Sequence, residues 1–186
     1  MRETLLTNDR VTWIKEEIEE IQPDGIVKTK ENTYKGSYVF DSTFDHQSLK
    51  AAKATTLLQH FKGYIIETKS PAFDPTAVTY MDFTLEQEGD CRFGYVLPFD
   101  EKTALVEYTL FNQELLEKSA YTDRLTAYIE SLGITDYKII EEEYGVIPMT
   151  DYDFKLRQSD CVINIGIKGG FAKPSTGYTF LRGQHI

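Results

Sequence analysis

The sequence predicts an α+β protein built on a mixed or antiparallel sheet with a few helices. Most of the chain consists of short apolar runs separated by hairpin-length turns, which is typical of strands. One segment has helical periodicity, and the 12 Tyr and 11 Phe are residues that favour strands. At 186 residues, the chain can form one ordinary core, or one whole domain plus the edge of another.

The first predicted elements are three strands between Val11 and Ser42. Pro23-Asp24-Gly25 and Glu31-Asn32 are the turns, and Tyr38 to Asp41 is the last strand. Residues 11–21 also fit a helical stripe, so periodicity alone leaves strand and helix open there. Residues 43–58 are polar and alanine-rich, which predicts a loop or short helix linking two sheet regions.

A three-stranded meander follows, with strands near 77–85, 92–97 and 103–111. Glu88-Gly89-Asp90 and Pro98 to Glu101 are the intervening turns, and both have hairpin length.

Asn112 is the expected cap of one helix or two consecutive helices, and Gly133 is the expected end. Four apolar residues fall on one helical face: Leu125, Tyr128, Ile129 and Leu132. Tyr137 to Glu143 predicts a strand, Gly145 to Met149 an irregular segment, and Cys161 to Ile167 a buried strand that enters a glycine-rich turn.

Composition excludes several function classes. The formal net charge of −10 repels nucleic acid and anionic lipid headgroups, so nucleic acid is not an expected partner. No apolar run is long enough to span a bilayer and the first residues lack a signal peptide's apolar stretch, so we expect a soluble, cytoplasmic protein. Cys91 and Cys161 lie far apart without CxxC or Cys/His spacing, which supports neither a zinc site nor a disulfide framework, so no metal site is predicted. Both cysteines are expected to be free thiols. The three histidines are interpreted as surface or loop residues: His46, His60 and His185.

Glu107 is the first candidate for chemistry. Period-2 alternation places it on the same strand face as Leu105, Thr109 and Phe111. If that face is inward, burial raises the pKa of the Glu107 carboxyl, and the protonated acid can donate to a weak base such as an alkene. A solvated glutamate on an edge strand is the alternative.

Other acidic residues raise the same question. Asp82 lies in a strand whose face also carries Thr84 and is interpreted as wet. Glu141, Glu142 and Glu143 form a charge run, which usually marks a solvated face. Alternation sends Glu142 to the opposite side from its neighbours, so at most one or two of the three can face a cavity.

A glycine-rich segment is the candidate cofactor contact. Gly166, Gly169 and Gly170 would allow close backbone approach. Pro174-Ser175-Thr176 resembles a helix start whose free N–H groups suit an anion or a flavin carbonyl. The strand-GxGxxG-helix fingerprint of a dinucleotide site is absent between Met1 and Gly166.

Seven motifs in order resemble the bacterial lycopene cyclase family over most of the chain. They are His60 to Gly63, Phe73 to Pro75, Met81 to Phe83, Tyr95 to Pro98, Ala104 to Phe111, Glu142 to Thr150 and Gly169 to Tyr178. These cyclases are similar in fold to flavoprotein hydroxylases, in which an FAD-binding Rossmann domain is interleaved with a sheet-and-helix substrate domain. The resemblance favours strand for residues 11–21.

The resemblance also implies a domain plan. Residues 1–45 would be the β-meander and a strand of a truncated FAD-binding domain, residues 46–160 the substrate-binding domain, and residues 161–186 a return strand with the FAD-contact segment. Family members are longer at both ends, so we expect a fragment that is inactive alone and does not hold FAD tightly.

The implied reaction is lycopene β-cyclisation, an isomerisation of an acyclic carotenoid end group through a carbocation, without net redox change. The resemblance implies reduced FAD as cofactor, NADPH as reductant, and peripheral membrane contact in the full-length protein. Glu107 matches the family's glutamate after the Leu-Pro hairpin, while Glu142 and Glu143 match its second acidic motif. The implied FAD contacts are Gly166, Lys168, Gly169, Gly170, Pro174, Ser175, Thr176 and Gly177. Lys168 stands where similar flavoproteins place small or acidic residues. Its side chain therefore either contacts a phosphate of FAD, or this contact is lost.

Tyr95, Tyr108 and Phe111 are candidates to offer π faces to a cation, with packing as the alternative. Two rival functions remain open. One is another flavoprotein of this architecture, such as an isoprenoid reductase or a hydroxylase. The other is a stand-alone binding module for carotenoids or other long lipids.

Overall fold

The computed structural model describes residues 7–44, 49 and 54–184. The chain divides into two compact units, Met1–Phe44 with Phe154–Gly170, and Asp45–Asp153 with Phe171–Ile186. These units differ from the predicted domain ranges, because residues 154–160 group with the first unit and residues 171–186 with the second. The predicted α+β class with mixed and antiparallel sheets is confirmed.

The first unit contains two small sheets. An antiparallel meander is formed by β1 (Ile18–Ile21), β2 (Ile26–Thr29) and β3 (Thr33–Lys35). A parallel pair is formed by β4 (Val39–Asp41) and β10 (Val162–Asn164). The described residues before 42 form four strands rather than the predicted three, because β3 precedes the predicted last strand, Tyr38 to Asp41, which is β4 and pairs with β10. The strand expected over residues 11–21 begins only at Ile18.

The second unit is an antiparallel five-stranded sheet in the order β6-β7-β8-β5-β9. Its strands are β5 (Thr56–Thr68), β6 (Thr79–Asp82), β7 (Cys91–Pro98), β8 (Thr103–Asn112) and β9 (Tyr137–Thr150). The predicted meander is confirmed as β6, β7 and β8. Strand β5 was not predicted, and its first residues lie in the expected linker over 43–58; residues 45–48 and 50–53 of that linker are outside the described residues.

Helix α1 (Lys118–Ser131) packs against one side of this sheet, which we call the helix face. Its N-cap is Glu117, so the prediction that Asn112 caps it is wrong. The Asn112 side-chain oxygen instead accepts a hydrogen bond from the backbone N–H of Gln113 at 2.6 Å. Gly133, at φ +79°, follows the helix end as predicted.

The core lies between α1 and the helix face. Alternate residues of β5, β7 and β8 meet three of the four predicted helical residues there, while the fourth, Leu132, is 38% exposed. Tyr128 packs onto the sheet at Gly94, where an added Cβ would lie 2.3 Å from the Tyr128 ring. The core cluster is Tyr64, Ile66, Val96, Ala104, Val106, Tyr108, Leu110, Tyr121, Leu125, Tyr128, Ile129 and Ile134.

His60 corrects another prediction, because it is fully buried rather than on the surface. Its Nδ1 atom shares a 2.5 Å hydrogen bond with the hydroxyl of Tyr121 on α1. His46 and His185 lie outside the described residues. Both cysteines are free thiols, as predicted.

Two C-terminal predictions also change. Residues 145–149 are not irregular, because β9 continues to Thr150. Pro148 fits there because β9 is an edge strand, where a missing N–H costs little. Helix α2 (Phe180–Gly183) begins after Thr179, so Pro174-Ser175-Thr176 is a turn rather than a helix start.

Candidate active site

Glu107 lies near the middle of β8, on the side of the sheet opposite α1. We call this side the carboxyl face. Gly63 of β5 and Tyr95 of β7 are its partners on the two neighbouring strands. The next residue on this face of β8 is Thr109, whose hydroxyl donates a 2.5 Å hydrogen bond to Glu107 Oε1. Alternation therefore places Glu107 where the sequence predicts.

Glu143 of β9 completes a row across the sheet with Gly63 and Glu107. Gly63 pairs with Glu107 on one side and with Glu143 on the other. A Cβ at Gly63 would lie 2.9 Å from Glu143 Cγ and Oε1, and 3.1 Å from Leu105 Cδ1. Because the glycine has no side chain, the Glu143 side chain occupies the space between the outer strand and Glu107.

Burial is the main influence on Glu107, whose carboxyl lies on a half-buried part of the sheet. Burial raises the pKa of Glu107 to about 7, the Thr109 hydrogen bond opposes that rise, and the neighbouring Glu143 carboxyl adds to it. A carboxyl with a pKa near 7 is substantially protonated at neutral pH and can act as a general acid.

Aromatic rings of β7, β8 and the β6 region lie on the same face as Glu107. The Phe93 ring, 1% exposed, lies within 5.3 Å of the Tyr95 ring and 5.7 Å of the Phe111 ring, measured between centroids. Two rings of the β6 region extend this layer, with Tyr80 5.2 Å from Tyr95 and Phe83 5.5 Å from Phe93. The Glu107 carboxyl thus borders an apolar, π-rich surface.

Three predicted site residues lie on the helix face instead. Glu142 pairs with Tyr64 across β5 and β9, and its carboxylate is 3.3 Å from Lys62 Nζ. Tyr108 is buried in the core, so its ring is not in the aromatic layer around Glu107. Asp82 accepts a 3.0 Å hydrogen bond from the Tyr128 hydroxyl of α1, which ties β6 to the helix.

The first part of the glycine-rich segment belongs to the first unit. Gly166 and Gly170 have positive φ angles of 61° and 73°. A Cβ at Gly169 would lie 2.5 Å from the Asn164 carbonyl oxygen, so a compact turn follows β10. The Lys168 ammonium is paired with the buried carboxylate of Asp41.

The second part, Pro174 to Gly177, belongs to the second unit. The Gly177 N–H donates a 2.8 Å hydrogen bond to the Lys173 carbonyl, and the Thr176 N–H donates one at 3.1 Å to the same oxygen. A Cβ at Gly177 would lie 2.3 Å from Gln59 Oε1 on β5. The predicted FAD-contact residues are therefore shared between the two units.

Sequence reasoning missed Gly63 and Thr109 as site residues. Gly63 lies in a motif of the family resemblance, but the sequence predicts no strand there, so it does not indicate the place of Gly63 between two glutamates. Thr109 was placed on the correct face without a role. The signal for Thr109 was its i+2 position relative to Glu107, which puts the two side chains next to each other in a strand.

In the ranges that the structure describes, no cluster of three His, Cys, Asp or Glu side chains is arranged to hold a metal ion. Within the same ranges, no helix has the length and apolar character needed to cross a membrane.

A solved structure shares this fold. The geranylgeranyl bacteriochlorophyll reductase-like protein from Thermoplasma acidophilum superimposes with a TM-score of 0.60 and 15% sequence identity, over 87% of this chain and 43% of the other. This likeness shows the fold alone: the chain is an α+β protein with the fold of that solved structure.

Sequence comparison gives the family. Residues 1–185 match the family described as lycopene cyclase protein. The chain is 30% identical over 136 residues to a chloroplastic neoxanthin synthase from Solanum tuberosum, covering 67% of this chain and 27% of that protein. It is 30% identical over 130 residues to a lycopene beta-cyclase from Paracoccus sp., covering 67% and 33%, and 31% identical over 108 residues to one from Pseudescherichia vulneris, covering 56% and 28%.

The chain belongs to the lycopene cyclase family, and the predicted resemblance is confirmed. It spans about a quarter to a third of the length of these curated relatives.

Proposed function

We propose that this chain carries the acid site of a lycopene β-cyclase. The observation that carries the proposal is the Glu107 carboxyl, held beside Glu143 on an aromatic sheet face that raises its pKa to about 7. Family membership supports carotenoid cyclisation as the reaction class. Our proposed substrate is a carotenoid with an acyclic end group, an apolar molecule suited to the aromatic surface.

In the proposed reaction, protonated Glu107 gives its proton to the terminal double bond of the end group. The resulting tertiary carbocation is attacked by a nearby alkene, which closes the ring and moves the positive charge into it. A ring proton then leaves to a carboxylate of the Glu107 and Glu143 pair, so atoms and electrons balance without net oxidation. Glu143 is the expected partner because it is the second carboxyl at this position.

The aromatic layer has two roles in this proposal. Tyr95 and Phe111 present quadrupoles that stabilise a nearby cation, and the buried Phe93 ring packs against both of them. Their apolar bulk also excludes water, which would otherwise trap the carbocation as an alcohol. Tyr108 has neither role because it lies in the core on the other face.

FAD is the proposed cofactor, and part of the glycine-rich turn fits a bound group. Gly166 combines a φ of +61° with open space where a Cβ would stand, so another molecule can approach its backbone. Gly169 and Gly170 shape the turn, and Lys168 is held toward Asp41 rather than extended for a phosphate. When bound, reduced FAD would supply negative charge that favours a carbocation, with NADPH as the proposed source of electrons.

Product analysis tests the function. The protein expressed from its complete reading frame is loaded with FAD, reduced, and incubated with lycopene. We expect a cyclic carotene with no net NADPH consumption. Saturated or hydroxylated product would instead identify a reductase or hydroxylase of the same architecture, and tight lycopene binding without conversion would identify a binding module.

A further inference from the structure

Thr109 makes the shortest described hydrogen bond to the Glu107 carboxyl, although the proposed reaction does not involve it. Its Oγ1 atom donates to Glu107 Oε1 at 2.5 Å. The Thr109 side chain is fully buried, and its partners on the neighbouring strands are Phe61 and Phe93. Two aromatic residues therefore flank this hydrogen bond and limit competition from water.

The direction of this hydrogen bond distinguishes the two oxygens of Glu107. In a protonated carboxyl, one oxygen carries the hydrogen and the other is the carbonyl acceptor. The Thr109 hydroxyl donates to Oε1 of the carboxylate. When the hydroxyl stays the donor in the protonated form, Oε1 is the carbonyl acceptor and the acidic proton resides on Oε2. After proton transfer, the same hydrogen bond stabilises the carboxylate, and such charge-assisted bonds are the stronger ones.

We propose that Thr109 is a positioning residue that fixes Oε2 as the proton-bearing oxygen of Glu107. The catalytic part of this inference rests on the proposed function, whereas the assignment of the proton rests on the contact alone. Other titratable groups facing Glu107 are Glu143 on β9 and Tyr95 on β7. From β5 the facing residue is Gly63, because Lys62 lies on the helix face.

The test compares Thr109→Val, which keeps the shape but removes the hydroxyl, with Thr109→Ser, which keeps the hydroxyl. In Thr109→Val we expect the pKa of Glu107 to rise, because the carboxylate loses its donor, and the infrared carbonyl band of the acid to move to higher frequency. With lycopene, kcat should fall by about tenfold or more while KM changes little, since a hydrogen bond to a charged group is lost. Thr109→Ser should restore both readouts.

The spectroscopic and kinetic readouts separate the two claims. The positioning role would be overturned if Thr109→Val leaves both the pKa of Glu107 and the frequency of its carbonyl band as they are in the parent protein. If the band moves but no variant forms cyclic carotene, the positioning role stands and the proposed function fails. If Thr109→Val does not fold, the infrared difference spectrum between the parent protein and Glu107→Gln isolates the carbonyl band of Glu107. A band at the frequency of a carbonyl without a hydrogen bond would contradict the inference.

Discussion

The two faces of the five-stranded sheet are built from the same strands but have different roles. On the helix face, Val106 and Tyr108 of β8 pack in a closed apolar core with α1. On the carboxyl face, Glu107 and the next residue of β8 on that face, Thr109, form a polar pair near aromatic rings. Successive residues of one strand therefore point to opposite faces, so one set contributes to stability and the other to the proposed chemistry. Substitutions on the two faces should affect different measurements.

The largest expected effect is on the carboxyl face. Glu107→Gln keeps the shape of the side chain but removes the acid, so turnover of lycopene should fall by about 10²–10⁴-fold, as for a lost general acid. The matched comparison is Glu142→Gln, on the opposite face, for which we expect a change at least ten times smaller. Near-normal ring formation by Glu107→Gln would remove the distinction between the faces.

The opposite pattern is expected in the core. Ile129 of α1 is fully buried on the helix face, and Ile129→Ala should lower the free energy of unfolding by about 2–5 kcal/mol. Urea denaturation followed by circular dichroism measures the change. Activity per folded molecule should stay close to that of the parent, and a specific loss of turnover at full folding would show that the two faces are coupled.

The pH dependence of stability sharpens the comparison. The folded-state pKa of Glu107, about 7, is above the ordinary value of 4.5, so the native state holds a proton that the unfolded chain releases between these pH values. Stability attributable to this group should therefore decline as pH rises from about 4.5 to about 7, by at most about 3 kcal/mol. Glu107→Gln should remove this part of the slope, whereas an unchanged slope in urea titrations would argue against a buried acid.

A smaller effect is expected at the glycine between the glutamates. In Gly63→Ala, the added methyl group would clash with Glu143 and Leu105. The two carboxyls should move apart, and turnover should fall by roughly tenfold. Overpacking should also lower the free energy of unfolding by about 1–3 kcal/mol. Gly183→Ala is the control, because a Cβ there meets open space. Equal turnover in the two variants would show that the spacing of the pair is unimportant.

The sequence predicts those strands that are bounded by clear turn residues. The β6-β7-β8 meander was predictable because Glu88-Gly89-Asp90 and the Pro98 turn interrupt the apolar runs. Strand β5 was missed because it follows an alanine-rich segment without a clear turn and includes Lys62 and Glu67. Its central place comes from pairing with β8 and β9, which are distant in sequence.

The site was predictable to the same extent. Period-2 alternation gave the face of Glu107, because that rule is local. The proximity of Glu143 was not derivable, since it requires the register of β5, β8 and β9 together. Pro174-Ser175-Thr176 carried a helix-start signal, yet the turn closed by Lys173 and Gly177 forms there instead.

The most direct test of the central claim is the titration of the Glu107 carboxyl itself. Carbon-13 NMR of Glu-labelled protein, with the Glu107 signal assigned by its loss in Glu107→Gln, reports the protonation state at each pH. The half-buried, paired carboxyl should titrate near pH 7, and its midpoint should fall in Glu143→Gln. A midpoint near 4.5 that does not respond to Glu143 would contradict the account.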